Sequence, residues 1–231
     1  PHGTGNLYTW LLGEKFRRSL AGLGSASDAS LVLTVCGGSG LDAEYLARAG
    51  FRVIASDISL EAARRTRERA ERHGLPIAPI VADVEVLPFR DRSIDLVYVH
   101  DGLHHLEAPL AGLHEMLRTA RNSVSVNEPA RAQATLLAAR VGLADHYEDA
   151  GNFIARIDPA EIESVVRQAG FEIVKSERYA MLYRHAPGKV SRLLSRPGLF
   201  GVARNGLRLL NAVVGAHGNK MTLQAVRRDA D

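Results

Sequence analysis

The chain has 231 residues, 46% hydrophobic and 24% charged. That suffices for one domain with a sizeable core and excludes a disordered or collagen-like chain. No apolar run approaches the ~20 residues of a membrane span, and the single cysteine, Cys36, excludes an internal disulfide and a four-thiolate metal site.

Net charge is +3 but unevenly placed. Residues 1–177 carry 19 Lys+Arg against 24 Asp+Glu, whereas residues 178–231 carry 10 against 2, with no acid between Glu177 and Asp229. Such a block suits an anionic membrane surface, a phosphate-bearing ligand or nucleic acid, although a solvated basic face or a subunit contact is commoner. No basic stretch followed by an apolar one opens the chain, so a cytoplasmic location is expected.

Residues 1–22 read as helix, with Leu7, Trp10 and Leu11 on one face and Leu20 further on. Gly24–Asp28 breaks it. A β-rich run, Leu31–Cys36, leads through glycines into a helix ending at Ala49, with Gly50 as its C-cap. Phe51–Ser56 is a second strand, Ser59–His73 a charged helix closed by Gly74, and Ile77–Val81 a third strand. Ile94–Val99 is a fourth strand, followed by a helix to Thr119 and a fifth strand at Ser123–Val126.

Residues 158–170 hold the clearest helix signals: Asp158 as N-cap, Pro159 at N1, Glu161 at N3 and Gly170 at the end. Phe171–Val174 and Met221–Val226 complete seven strands. Strands separated by helical lengths imply βαβ crossovers, hence an α/β fold with a mostly parallel sheet and helices on both faces.

The chain reads as a single domain, 1–231, with 1–24 as an N-terminal helical lid. The stretches 129–157 and 180–217 are too long for ordinary connections and are expected to be insertions covering the substrate side. Within the second, residues 189–215 read as two basic amphipathic helices. Val190, Leu193 and Leu194 form one apolar stripe, and Leu207, Leu210, Val213 and Val214 another, with Arg192, Arg196, Arg204 and Arg208 as charge. Such helices lie on anionic lipid, cover a substrate mouth or pack in a homodimer. The basic block lacks interleaved aromatics beyond Tyr179, Tyr183 and Phe200 and shows no reader motif, so no nucleic-acid partner is expected.

Cys36-Gly37-Gly38-Ser39-Gly40 sits at a strand end and opens a helix, where bare peptide groups and a helix N-terminus can take a nucleotide-like or zwitterionic ligand. Asp57 follows Gly38 by 19 residues at the end of strand two. A carboxylate there can accept from a ribose diol, which serves NAD and adenosyl ligands alike. A nicotinamide-dependent oxidoreductase therefore stays open at this point.

Ala82-Asp83-Val84, then Leu87-Pro88-Phe89, then Asp91-Arg92-Ser93-Ile94-Asp95-Leu96-Val97, then Val99-His100-Asp101-Gly102-Leu103-His104-His105-Leu106 narrow the choice. This succession resembles the class I S-adenosylmethionine-dependent methyltransferases, in particular the branch acting on small molecules, lipids and quinones. The resemblance runs from Leu31 to Leu106, and more weakly through Asn127-Glu128-Pro129 and residues 158–178. It implies a seven-stranded, Rossmann-like sheet whose last strand is antiparallel.

It also implies S-adenosylmethionine as methyl donor, with S-adenosylhomocysteine as product. The turn Cys36, Gly37, Gly38 and Gly40 would pass under the methionine and ribose. Asp57 would hold the ribose hydroxyls, with Ile58 against adenine. Asp83 would accept from the adenine amino group beside Val84, and His100 would lie near the methionine end. Motif I departs from the family: Thr34 stands in place of its acid and Cys36 in place of its first glycine. Thr34 offers no charge to an ammonium group, and Cys36 is expected to need an ordinary φ. Both departures leave room for a methyltransferase fold kept as a non-catalytic accessory or membrane-associated protein.

His100, Asp101, His104 and His105 form the densest ionisable cluster. Neutral histidine can take a proton from a hydroxyl nucleophile, so His104 or His105 is the candidate base, with structural packing as the alternative. The spacing matches no ligand pattern, and no metal is expected. Glu128 at the strand tip and, within 129–157, Arg140, Tyr147 and Arg156 are candidate substrate contacts. The expected reaction is methyl transfer to a small or lipid-like acceptor, most simply a hydroxyl oxygen.

Overall fold

The computed structural model describes residues 6–23, 30–131, 157–181 and 189–228. Among them are seven strands: β1 (Leu31–Val35), β2 (Arg52–Asp57), β3 (Ile77–Val81), β4 (Ile94–His100), β5 (Ala120–Pro129), β6 (Phe171–Tyr179) and β7 (Lys220–Arg227). They form one sheet in the order β3-β2-β1-β4-β5-β7-β6. The first five run parallel, and β7 is antiparallel to both β5 and β6.

The helices are α1 (Asn6–Leu20), α2 (Leu41–Arg48), α3 (Leu60–His73), α4 (Pro109–Thr119), α5 (Pro159–Gln168), α6 (Lys189–Leu194) and α7 (Phe200–Val214). Alternate strand residues feed two cores. One gathers Leu33, Val35, Val97, Val99, Val124 and Val126 with Leu113 and Met116 of α4 and Ile162 and Val166 of α5. The other gathers Val32, Val53, Leu96 and Tyr98 with Leu46 of α2. A two-sided sheet buried on both faces accounts for the near-continuous apolar runs of β1 and β4.

Caps form where the sequence places them: Ser59 Oγ accepts from Ala62 N, Gly74 takes φ +60° after α3, and Asp158 accepts from Ala160 N before Pro159. Two strands exceed their expected bounds. β6 continues past Val174 to Tyr179, because Lys175-Ser176-Glu177-Arg178, polar enough to read as loop, pairs with β7. β5 begins at Ala120, directly after α4, and ends at Pro129.

The helix expected after β4 divides into a short 3-10 turn, Leu103–His105, and α4, which starts at Pro109. The stripe expected on the last helix also divides. Leu207 packs toward Trp10 of α1, whereas Leu210, Val213 and Val214 are exposed. No described helix is long and apolar enough to cross a membrane.

Candidate active site

The C-terminal ends of β1, β2, β3 and β4 lie along one edge, at the point between β1 and β4 where the strand order reverses. Open α/β sheets form ligand crevices there. The turn after β1 is fixed from below and from the side. Gly37 N donates to Ser56 O at 2.9 Å, and Gly38 N donates to Asp57 Oδ2 at 2.8 Å. From α3, Thr66 Oγ1 donates to Gly38 O at 3.3 Å and Arg69 Nε to Ser39 O at 2.9 Å.

Gly40 has to be glycine: its φ is +75°, and a Cβ there would come within 2.7 Å of Thr66. Gly38 is also left-handed, at φ +52°, with nothing within 4 Å of a Cβ position. Cys36 corrects an expectation, because its φ is +54° rather than an ordinary negative value. The turn demands the left-handed conformation, and Cys36 holds it at a cost of about 1 kcal/mol. Its Cβ fills space a side chain at Gly102 would need, 2.4 Å away. Burial, with Glu128, Asp57, Asp42 and Asp83 nearby, raises the thiol's pKa far above the usual range, so Cys36 is no thiolate nucleophile.

Two carboxylates flank the crevice on neighbouring strands. Asp57 Oδ1 accepts from Ser59 N at 2.9 Å while Oδ2 holds Gly38. Asp83 is exposed and accepts from Glu85 N at 2.9 Å through Oδ1, with Val84 buried beside it. Between them Ile58 stands 71% exposed, an apolar side chain left in water.

On the other flank, α1 lies across the strand ends. Phe16 stacks on Tyr45 with ring centroids 4.0 Å apart and an interplanar angle of 9°, and tilts onto His100 at 4.7 Å. His100 Nδ1 lies 2.9 Å from Tyr98 Oη, which donates to Ser19 Oγ at 2.7 Å, which donates to Phe16 O at 3.0 Å. With the tyrosine proton committed to Ser19, His100 must donate through Nδ1. Burial and the field of Lys15 hold its pKa well below the usual histidine range, so this imidazole is neutral.

Lys15, buried on the same helix, pairs with Asp101 Oδ2, and Lys220 Nζ reaches Asp101 Oδ1 at 2.6 Å. Burial alone would raise the Asp101 pKa, but the two lysines outweigh it and hold the carboxyl well below the usual range.

Glu128 closes the loop after β4. Its Oε1 accepts from Gly102 N at 2.8 Å and Leu103 N at 2.9 Å, and Oε2 takes the His104 Nδ1 bond at 2.7 Å. Glu128 and His104 are fully buried. The two predicted histidines therefore differ: His104 is held inside by Glu128, and His105 is exposed with its ring 4.0 Å from that of His104. Glu128, expected to face substrate, has both oxygens engaged by the protein.

Arg140, Tyr147 and Arg156 lie outside the described residues. The nine residues expected to touch a cofactor, from Cys36 to His100, lie along one sheet edge. Sequence reasoning missed Lys15, Phe16, Tyr45, Lys220, Thr66, Arg69 and Asp42. Only Lys15 carried a usable signal: a cation four residues past the Leu7–Leu11 stripe implies a buried partner.

Residues 32–123 match the family described as a methyltransferase domain. A demethylmenaquinone methyltransferase of Renibacterium salmoninarum is 34% identical over 108 residues, 47% of this chain and 44% of that protein. The chain thus matches less than half of the length of such relatives. Two solved structures share the fold: a magnesium protoporphyrin IX methyltransferase of Synechocystis with bound SAH (16% identity, TM-score 0.61, 96% of this chain and 80% of that one) and the cyclase SpnF (18%, 0.64, 95% and 80%).

Proposed function

We propose, from the premise that this chain carries a class I S-adenosylmethionine-dependent methyltransferase domain, that it transfers the donor's methyl group to a small or lipid-like acceptor of the phenol or quinol kind. The observation that carries this reading is the pair of carboxylates Asp57 and Asp83, at the ends of adjacent strands, flanking exposed Ile58 beside the glycine turn. These groups fit a nucleoside: acceptors for sugar hydroxyls and for an exocyclic amine, an apolar side chain for the base, and bare peptide for close approach. When bound, the donor supplies an electrophilic methyl group on a sulfonium.

The chain's own part is alignment and exclusion of water. Phe16 and His100 wall the methionine end, and the Glu128–His104 clasp sets the loop that presents His105. For a hydroxyl acceptor, His105 is our candidate to take the proton. The relatives' names favour a demethylated menaquinone, so a ring carbon is the alternative acceptor atom. Labelled donor with a demethylated quinol, followed by analysis of the product, distinguishes oxygen from carbon methylation. Absence of incorporation with any acceptor would favour a binding or accessory role.

Calorimetric titration should show S-adenosylhomocysteine binding and NAD not binding; the reverse would favour an oxidoreductase. Asp57→Ala should weaken S-adenosylhomocysteine by about 1–3 kcal/mol, through loss of charged hydrogen bonds and of the bond that steadies Gly38. An unchanged affinity removes Asp57 from the site.

A lipid-like acceptor also suits the outer face of α7. Val202, Leu209 and Val213 are 71%, 67% and 74% exposed on one stripe, flanked by Leu210 and Val214. The surrounding segment, 178–228, has ten Lys and Arg and no acid. We infer that this face rests on anionic lipid. Its inner side, Phe200, Ala203 and Leu207, packs toward α1, which covers the site. Leu209→Ser with Val213→Ser should lower binding to phosphatidylglycerol vesicles about tenfold, from lost apolar burial. No binding by the parent protein, or a dimer that the same changes dissociate, would assign the face otherwise.

A further inference from the structure

Asp42 stands two residues past Gly40, in the first turn of α2, and is 6% exposed. Its Oδ1 accepts from Ala43 N at 2.8 Å, and its Oδ2 has no hydrogen-bond partner among the described residues. Thr34, fully buried in β1, has an Oγ1 in the same condition. Both side chains border one spot. A Cβ built on Gly37 would lie 3.2 Å from Thr34 Oγ1, 3.5 Å from Ser56 O and 3.6 Å from Asp42 Oδ1.

The point where a Gly37 side chain would begin is thus ringed by a hydroxyl, a carbonyl and, through the Oδ1 that also holds Ala43 N, a carboxyl, within the glycine turn. Buried polar atoms are nearly always paired, and a carboxyl kept half-paired beside a ligand crevice calls for a donor the ligand brings. The net need is for a cation with several N–H groups, which is the chemistry of a primary ammonium.

The charged groups that act on Asp42 are Lys15 of α1, which favours its ionised form, and Asp57 of β2, which opposes it. Lys15 is itself committed to Asp101. Resting on the methyl-donor reading, we propose that Asp42, assisted by Thr34, anchors the α-ammonium of the ligand's amino-acid end. The charge that Thr34 cannot offer then comes from eight residues further along the chain. Burial raises the Asp42 pKa to about 7, with backbone N–H bonds and Lys15 offsetting part of the effect. Ligand affinity should therefore climb as pH rises toward 7, where the carboxylate forms.

The test compares two ligands by calorimetry: S-adenosylhomocysteine, which has the ammonium, and 5′-methylthioadenosine, which lacks the whole amino-acid end. Asp42→Asn should weaken the first at least tenfold and leave the second unchanged. Gly37→Ala, which places a methyl group at the ringed point, should show the same selectivity and serves if Asp42→Asn does not fold. Equal affinities in parent and variants, or equal losses for both ligands, overturn the anchor while the methyl-donor reading stands. Failure of the parent protein to bind either ligand overturns that reading instead.

Discussion

Glu128→Ala is expected to destabilise the folded protein by about 3–5 kcal/mol, enough to lower its melting temperature by about 10 °C. The carboxylate is fully buried and is the acceptor for two backbone N–H groups and one imidazole. Alanine leaves all three donors without that acceptor, in a place water does not reach, and each stranded group costs about 1–3 kcal/mol. Relaxation of the loop recovers part of that sum. Glu128→Gln should be milder, because the amide oxygen can keep the bonds to Gly102 and Leu103 while the His104 bond is replaced by a weaker one. Urea denaturation of the three proteins measures both effects. A Glu128→Ala protein within about 1 kcal/mol of the parent would show that the clasp is not what fixes this loop.

Asp42→Asn should have the opposite sign and a pH dependence of its own. Burial pushes the pKa of Asp42 in the folded chain up to about 7, from an ordinary carboxyl value of 3.8. Between these values the folded chain keeps a proton that the unfolded chain has released, so stability falls as pH rises across that window and levels off above 7. Asparagine is neutral throughout and escapes the loss. The variant should match the parent near pH 4 and exceed it by about 2–4 kcal/mol at pH 8, roughly 5–10 °C in melting temperature. Thermal melts of the ligand-free proteins from pH 4 to 8 test this. Parallel curves would mean that Asp42 titrates in its ordinary range. Together with the expected loss of S-adenosylhomocysteine, the result would show stability given up for a binding group, a common bargain at ligand sites.

Local chemistry in the sequence determined most of the fold. Apolar runs of strand length, the caps at Ser59, Gly74 and Asp158, and glycine after β1 each act within a few residues, and their sum is an alternating α/β chain. The side of the sheet proposed for the cofactor was readable for the same reason: Gly38, Gly40, Asp57 and Asp83 lie at or just past strand ends, and parallel strands bring their C-terminal ends to one edge. The polar half of β6 was not readable, since its partner is β7, more than 40 residues away.

Tertiary structure alone decided which ionisable groups are buried and what they face. Nothing near His104 in the chain tells that Glu128 clasps it, while His105 beside it stays exposed. Nothing near Lys15 tells that it and Lys220 share the Asp101 carboxylate, or that α1 lays Phe16 over His100. Burial, charge pairing and hydrogen-bond satisfaction are properties of surfaces brought together across the sheet, so they come into being only when distant segments meet.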